Sequence, residues 1–333
     1  NNIAHTIHSK KEAIERIDET ITAAIKLEYD KDIAYNYKHL ATLSGGLDSR
    51  VNVMIAHKMG YISNTFCFSE PNYLDDVISK KIASSLNLEH QFISLNNGLY
   101  MNALEENTSI TNGSQIFTGA AHYNYSLKQL DLTNYGALHT GQIGDAIFGG
   151  LLTKGENENF LSKKISNLFL DKVNINRETL SKYKNEEVFK LYQRIFNITH
   201  AGSYTTESHK SYLLSPFLDD EVLSTALSIS PKLKYNQDIY IDWICEKHPY
   251  ITKFKWERTG FKPNKKWKTR ASRYTKKLKS EFLKYSNSKQ KISMTPEDYW
   301  LENTKEVHDF YKNFYTNYAN SLKANTELFN DIA

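Results

Sequence analysis

The sequence predicts an α/β fold, in which a parallel, doubly wound sheet is followed by a largely helical C-terminal half. Two observations lead to this prediction. Short apolar runs alternate with amphipathic runs between residues 37 and 95, a rhythm typical of parallel strands joined by right-handed helical crossovers. After Gly150 this alternation is lost and helical spacing dominates, so we expect helices to pack on the α/β unit.

The predicted elements follow one another in a regular order. Ile14, Ile17, Ile21 and Ile25 recur at helical spacing, so an amphipathic helix is expected at residues 9–29. The next segments are predicted as strand, helix, strand, helix and strand, at residues 37–43, 49–59, 61–69, 74–87 and 89–95. A further strand begins near residue 135 and leads into a glycine-rich loop, and no convincing strand is predicted after residue 150.

Composition restricts the class of protein. The chain has 333 residues, 40% hydrophobic residues and a formal charge of +4, which is ordinary for a globular protein. No apolar run approaches the roughly 20 residues that span a bilayer, and no signal peptide is recognised at the N-terminus. Cys67 and Cys245 form no metal-binding spacing, so we expect reduced thiols, a cytoplasmic location and no membrane partner.

The segment Ser44-Gly45-Gly46-Leu47-Asp48-Ser49 lies between the first predicted strand and its helix. Glycine amides, two hydroxyls and a helix N-terminus together suit an anion such as phosphate. Asp48 would repel phosphate unless Mg²⁺ lay between them, so the loop favours a metal-dependent nucleotide site. A capped turn without a ligand is the structural alternative. No Lys-Ser/Thr follows the glycines, so this is not a Walker A loop.

Four motifs resemble one enzyme family. SGGLDS matches the signature loop of ATP pyrophosphatases, and TGQIGDAIFGG at residues 140–150 resembles the asparagine synthetase pattern SGEGSDExFGG. Residues 215–234 resemble the PFLD segment of that family, and residues 255–263 resemble its R-x-K-x-G-F element. The chain therefore resembles the synthetase domain of asparagine synthetases, whose relatives include β-lactam synthetases.

The resemblance implies ATP and Mg²⁺ as cofactors and a reaction in which a carboxylate attacks ATP, pyrophosphate leaves, and an amine then attacks the acyl-adenylate. It implies a role for each matching residue, as pyrophosphate cradle, Mg²⁺ ligand, adenine neighbour, nucleotide contact or stabiliser of the second transition state. The corresponding residues are Ser44, Gly45, Gly46 and Ser49 for the cradle, Asp48 and Asp145 for Mg²⁺, Leu43 and Phe68 for adenine, Thr140 and Gly141 for the nucleotide, and Arg258 for the transition state.

The departures from the family pattern concentrate on the acceptor side. Gln142 stands where asparagine synthetases have a glutamate that handles the incoming nitrogen, and a carboxamide cannot act as a general base. Ala146, Leu214 and Trp256 also replace polar or charged family residues, and Arg258 replaces a lysine. We therefore expect the ATP half of the site to be kept and the acceptor half, with Gln142 and Arg258 as its catalytic candidates, to be changed.

The resemblance also divides the chain. Residues 1–38 correspond to a lead-in helix or linker from a glutaminase domain, residues 39–150 to the ATP-pyrophosphatase core, and residues 151–333 to the mainly helical remainder. A glutaminase would supply ammonia, and three alternatives stay open: it was trimmed away, it is a separate subunit, or the nitrogen donor is not glutamine. The expected partners are a small-molecule or peptide carboxylate and such an ammonia source.

Two other functions compete with an amide ligase that takes aspartate or another carboxylate. A tRNA-modifying enzyme could use the same loop, with the basic segment at residues 262–291 on RNA, but a solvated basic helix is the favoured interpretation of that segment, so we expect no nucleic-acid partner. A non-catalytic scaffold that binds nucleotide is the third hypothesis.

Overall fold

The computed structural model describes residues 5–114, 118–152, 186–192, 196–265, 267–269, 271–272 and 293–323. Five strands form one all-parallel sheet in the order β3-β2-β1-β4-β5. The strands are β1 His39–Thr42, β2 Ser63–Ser69, β3 His90–Ser94, β4 Ala137–His139 and β5 Tyr212–Leu214. The predicted α/β fold with a parallel, doubly wound sheet is confirmed.

One prediction is wrong. The sequence predicted no strand after residue 150, but β5 pairs in parallel with β4 at the edge of the sheet, with Leu213 opposite Leu138. Three residues are too few for a periodic pattern to show in the sequence. Hydrogen bonds from a distant part of the chain, rather than local preference, make this segment a strand.

The helices agree with the predicted pattern and extend it. The helices of the described residues are α1 Lys10–Ala34, α2 Asp48–Lys58, α3 Leu74–Leu86, α4 Leu104–Ile110, α5 Thr118–Leu127, α6 Glu186–Lys190, α7 Phe196–Ser208, α8 Asp220–Ser228, α9 Pro231–Lys234, α10 Asp238–Lys247, α11 Glu297–Asn303 and α12 Lys305–Lys323. The hydroxyl of Ser9 caps α1, and the buried isoleucine stripe of α1 packs against α8 and α10. None of the described helices is long and apolar enough to cross a membrane.

The sheet is covered on both faces. Side chains alternate along a strand, so Leu40 and Ala41 point to opposite sides of β1. Ala41 belongs to the large core that contains the buried residues of α1, α2, α3 and α10. Leu40 packs in a second core with Leu138 and with Tyr123 and Leu127 of α5. Two packed faces explain why β1 and β4 are almost completely buried.

The strand order determines where a ligand can bind. From β1 the chain proceeds to β2 and β3 on one side, and it then returns to place β4 on the other side of β1. The loops that follow β1 and β4 therefore run in opposite directions and leave a crevice between them. Open α/β sheets bind their ligands at such a point, at the carboxyl ends of the strands.

Candidate active site

A cavity of about 550 Å³ opens at the carboxyl ends of β1, β2 and β4. Every residue that the sequence marked as a site candidate lines this cavity, except Gly45. The lining candidates are Leu43, Ser44, Gly46, Asp48, Ser49, Phe68, Thr140, Gly141, Gln142, Asp145 and Arg258. The tertiary structure thus brings together segments that lie more than 200 positions apart in the sequence.

The loop after β1 is held by its own serines. The backbone N–H of Ser44 donates to Oγ of Ser49 at 3.0 Å, and the two hydroxyl oxygens lie 2.8 Å apart. The N–H of Gly46 donates to Oγ of Ser44 at 3.1 Å. These bonds place both hydroxyls at the N-terminus of α2, whose dipole favours an anion.

Gly45 does not itself line the cavity, and its backbone is bound by neighbouring segments. Its N–H donates to Oδ1 of Asp75 at 2.9 Å. Its carbonyl accepts from the N–H of Glu257 at 3.0 Å and from the guanidinium of Arg50 at 2.9 Å. A Cβ at this position would lie 2.8 Å from Cβ of Glu257, so a side chain here would push the neighbouring segment away. Gly45 allows the loop and residues 255–258 to touch.

Asp48 and Asp145 meet across the crevice. The backbone N–H of Asp145 donates to Oδ2 of Asp48 at 2.8 Å. Burial, followed by the neighbouring carboxylate of Asp145, raises the pKa of Asp48 to about 8. Oδ1 of Asp48 is buried and makes no well-aligned hydrogen bond with the described residues, although the Tyr240 hydroxyl interacts with this carboxyl group. A buried carboxyl group that faces a second carboxylate is a fitting environment for a hard divalent cation such as Mg²⁺.

Arg258 lies beside this acid pair. Its Nη1 donates to Oε1 of Gln237 at 2.8 Å and lies 3.7 Å from Oδ2 of Asp145. Nε2 of Gln237 donates in turn to the backbone carbonyl of Asp145 at 3.4 Å. The guanidinium also stacks 5.8 Å from the ring centre of Trp256, which replaces a family arginine. Arg258 is therefore held at the cavity by a buried amide and an aromatic ring.

Gln142 occupies the wall between the β4 loop and α7. Oγ of Ser215 donates to its backbone carbonyl at 2.9 Å, and its Nε2 lies against the backbone of Gly202. Its buried Oε1 accepts no hydrogen bond from any residue that the structure describes. An acceptor oxygen without a donor is thus present at the position where the family has a glutamate.

The predicted adenine neighbours lie on the apolar side of the cavity. Leu43 is fully buried, and its N–H donates to the carbonyl of Phe66 at 2.8 Å. The ring of Phe68 lies 5.4 Å from that of His122 and 6.1 Å from that of Tyr123. These rings form a wall on which a flat heterocycle could stack.

Sequence reasoning missed three residues. Arg50 is fully buried and donates to the carbonyls of Gly45, Lys255, Ile251 and Phe254, at 2.9, 2.6, 3.4 and 3.4 Å, so it joins the loop to the segment that carries Arg258. Asp75, in the first turn of α3, lines the cavity, and burial followed by the Glu257 charge raises its pKa to about 6. Glu257 also lines the cavity and accepts from the hydroxyl of Tyr73 at 3.1 Å.

A signal for Arg50 was present in the sequence, because it follows the SGGLDS motif directly. Glu257 likewise lies within the motif at residues 255–263, whereas Asp75 lies outside the four motifs. The basic segment at residues 262–291, on which the nucleic-acid alternative depended, lies largely outside the described residues.

Comparisons with known proteins place the chain in a family. A search of curated proteins finds no match. An NMN synthetase structure from Francisella tularensis is 14% identical, with a TM-score of 0.30, and the alignment covers 70% of this chain and 97% of that one. The sequence model of the asparagine synthase family matches residues 18–213, which is more than half of the chain. The chain therefore belongs to the asparagine synthase family of ATP-using ligases.

Proposed function

We propose that this chain catalyses ATP-dependent amide synthesis that releases AMP and pyrophosphate, with aspartate and ammonia as the default substrates. The observation that carries the proposal is the 2.8 Å hydrogen bond from the backbone N–H of Asp145 to Oδ2 of Asp48, which lies beside the two loop hydroxyls and Arg258. This arrangement gathers anion donors, a candidate cation site and a positive charge in one cavity.

In the first step, an oxygen of the substrate carboxylate attacks the α-phosphorus of ATP, and the bond between the α-phosphorus and the bridging oxygen breaks. Negative charge builds on the departing pyrophosphate. The hydroxyls of Ser44 and Ser49 and the N-terminus of α2 are placed to bind that charge. Asp48 and Asp145 would hold Mg²⁺, which supplies further neutralisation of phosphate charge.

In the second step, an amine nitrogen attacks the acyl carbon, AMP leaves with the bonding electron pair, and the amine loses a proton. The tetrahedral intermediate carries an oxyanion, and the cationic side chain of Arg258, which lines the cavity, would stabilise it. The free Oε1 of Gln142 would accept an N–H bond of the amine and orient its lone pair. Since a carboxamide takes up no proton, the proton would pass to water or to the phosphate of AMP.

The acceptor half supports a carboxylate other than aspartate as an alternative substrate, because the residues around Gln142 differ from the family pattern. The ammonia source would be a glutaminase domain or subunit, or free ammonia.

An exchange assay tests the proposal. Labelled pyrophosphate is incubated with ATP, Mg²⁺, the chain and one of a panel of carboxylates, and we expect label to enter ATP with at least one of them. Asp48→Asn and Asp145→Asn should each reduce exchange by roughly 100-fold or more, because a lost metal ligand removes several kcal/mol of charge stabilisation. Asp131→Asn, in an exposed turn, is the matched control. Release of ADP instead of AMP, or no exchange with any carboxylate, would contradict the proposal.

A further inference from the structure

A second polar cluster is buried on the face of the sheet that α1 covers. His39 opens β1 and His139 ends β4, and Ala41 pairs with His139 in the parallel register. Because His39 and Ala41 are two residues apart, both histidines point to the same face. Asp32 and Glu28 stand one helical turn apart on α1 and face them. Three distant segments thus deliver two imidazoles and two carboxylates to one buried place.

The distances within this cluster suit a shared ion. Oδ2 of Asp32 lies 3.1 Å from Nδ1 of His39 and 2.7 Å from Nε2 of His139. The three atoms all lie within 4.8 Å of one another. Asp32, His39 and His139 are 2%, 8% and 0% exposed. Ligand atoms around a tetrahedral zinc ion are about 3.3 Å apart, so Oδ2 of Asp32 would have to move roughly 0.2 Å from Nδ1 of His39 and roughly 0.6 Å from Nε2 of His139 to admit an ion.

A separate observation points to a metal. Nδ1 of His139, the ring nitrogen that does not face Asp32, lies 3.5 Å from Oε2 of Glu28. Apart from each other, neither of these two buried atoms has a hydrogen-bond partner in the described part of the chain. A metal-bound histidine commonly directs its other ring N–H to a carboxylate, which orients the ring. The ring of Tyr29 stacks on His139 with 4.0 Å between centroids, so the imidazole is also held from the side.

We propose that Asp32, His39 and His139 form a binding site for a divalent transition-metal ion of the Zn²⁺ class. The ligand atoms are Oδ2 of Asp32, Nδ1 of His39 and Nε2 of His139, and Glu28 accepts the remaining N–H of His139. The protons now on the ligating nitrogens pass to solvent as the metal bonds form. Imidazole nitrogens favour Zn²⁺ over Mg²⁺, so this site differs in metal preference from the all-oxygen pair Asp48 and Asp145.

The site would act on structure rather than on the reaction. It joins α1 to β1 and β4, and His139 directly precedes Thr140 and Gly141 of the cavity wall. A metal here would therefore connect α1 to β4, the strand that leads into the loop with Gln142 and Asp145, and would stabilise the position of that loop.

Calorimetric titration with Zn²⁺ tests the proposal. The whole chain is first treated with chelator and then dialysed against excess Mg²⁺, which occupies the carboxylate pair at the cavity. We expect one Zn²⁺ per chain, with a binding heat that differs between buffers of different ionisation enthalpy because protons are released. His139→Gln and Asp32→Asn should abolish this binding, and Glu28→Gln should weaken it roughly 10- to 100-fold. His8→Gln, at an exposed histidine, should bind as the unaltered chain does.

Two outcomes would overturn the proposal. One is the absence of stoichiometric Zn²⁺ binding, which would mean that the cluster is a hydrogen-bonded network only. The other is equal affinity in the unaltered chain and in His139→Gln. If the ligand variants fail to fold, the absorption spectrum of the unaltered chain with Co²⁺ shows whether the bound ion has tetrahedral coordination. Intense tetrahedral bands support the site, and a weak octahedral spectrum excludes it.

Discussion

The backbone N–H of Asp145 donates a 2.8 Å hydrogen bond to Oδ2 of Asp48, and this bond joins the loop after β4 to the first turn of α2. The two residues are 97 positions apart, yet they close the crevice at the point where the strand order reverses. The other oxygen of Asp48 is buried and makes no well-aligned hydrogen bond in the described structure. An uncompensated buried carboxylate destabilises a fold unless a cation neutralises it.

Asp48→Asn should therefore separate stability from function. The amide oxygen can still accept from Asp145, while the cost of burying a charge is removed, so the variant should melt a few degrees higher than the unaltered chain in chelator. Added Mg²⁺ should raise the melting temperature of the unaltered chain and leave that of the variant unchanged. Calorimetry with and without Mg²⁺ measures both effects. An equal Mg²⁺ response in the two proteins would assign the ion to other ligands.

Arg50→Lys should reduce both stability and turnover. A single ammonium cannot reach the four carbonyls that the planar guanidinium contacts, so buried acceptors lose their donors. We expect a loss of about 2–4 kcal/mol in the free energy of unfolding, measured by urea titration. Arg50 does not line the cavity, so kcat should fall more than KM for ATP rises. Arg16→Lys, at an exposed ion pair with Glu19, should change neither quantity.

Gly141→Ala should reduce the free energy of unfolding much more than Gly46→Ala does. A Cβ on Gly141 would lie 2.2 Å from the backbone nitrogen of Ser49, and backbone cannot move aside. We expect a loss of at least about 3 kcal/mol or failure to fold. A Cβ on Gly46 would lie 3.2 Å from Oγ of Ser44, a movable hydroxyl, so this variant should stay within about 1 kcal/mol of the unaltered chain. Urea unfolding of both variants measures the difference, and equal losses would refute the close contact at Gly141.

Gly202→Ala should act through Gln142. The added methyl would lie 2.7 Å from Nε2 of Gln142, which is the movable end of a side chain, so the carboxamide should shift while the fold persists. We expect unchanged pyrophosphate exchange and an amide-forming step slowed several-fold. Repeating the substitution in Gln142→Ala should produce no further slowing, as a double-mutant cycle requires of coupled residues. Additive effects would show that Gly202 acts independently of Gln142.

His90 should make stability depend on pH below neutrality. Burial, assisted by the charge of Lys80, lowers its pKa from 6.5 to about 4, and its ring nitrogens contact the hydroxyls of Thr65 and Ser79. Between pH 6.5 and 4 the unfolded chain binds a proton that the folded chain does not. Stability is therefore lost as the pH falls through this window, and no further loss arises from His90 below it.

The measurement is the urea midpoint against pH for the unaltered chain and His90→Gln. Subtracting one curve from the other cancels the contribution of the carboxylates that both proteins share. The difference should change between pH 6.5 and 4 and stay constant below that window. His8→Gln serves as the exposed control. A constant difference would show that His90 titrates normally.

The local sequence was sufficient to predict the parallel sheet and the helices that connect its first strands. Short apolar runs that alternate with amphipathic runs predicted strands β1 to β4 and their crossover helices, because a parallel sheet covered on both faces has buried strands between amphipathic helices. The four motifs likewise identified the family, and 11 of the 24 residues that line the cavity were site candidates from the sequence, since these lie at strand ends or follow recognisable short patterns. Their individual roles stay predictions.

Only the tertiary structure decided the rest. Strand β5 exists because Leu213 pairs with β4, and nothing within three residues could indicate that. The amide of Gly45 donates to Asp75, and its carbonyl accepts from Arg50 and Glu257, partners that the loop sequence does not indicate. Asp32, His39 and His139 are separate polar residues in the sequence, and strand register and helix packing make them one buried cluster. Contacts between distant segments depend on the whole fold, so local patterns cannot specify them.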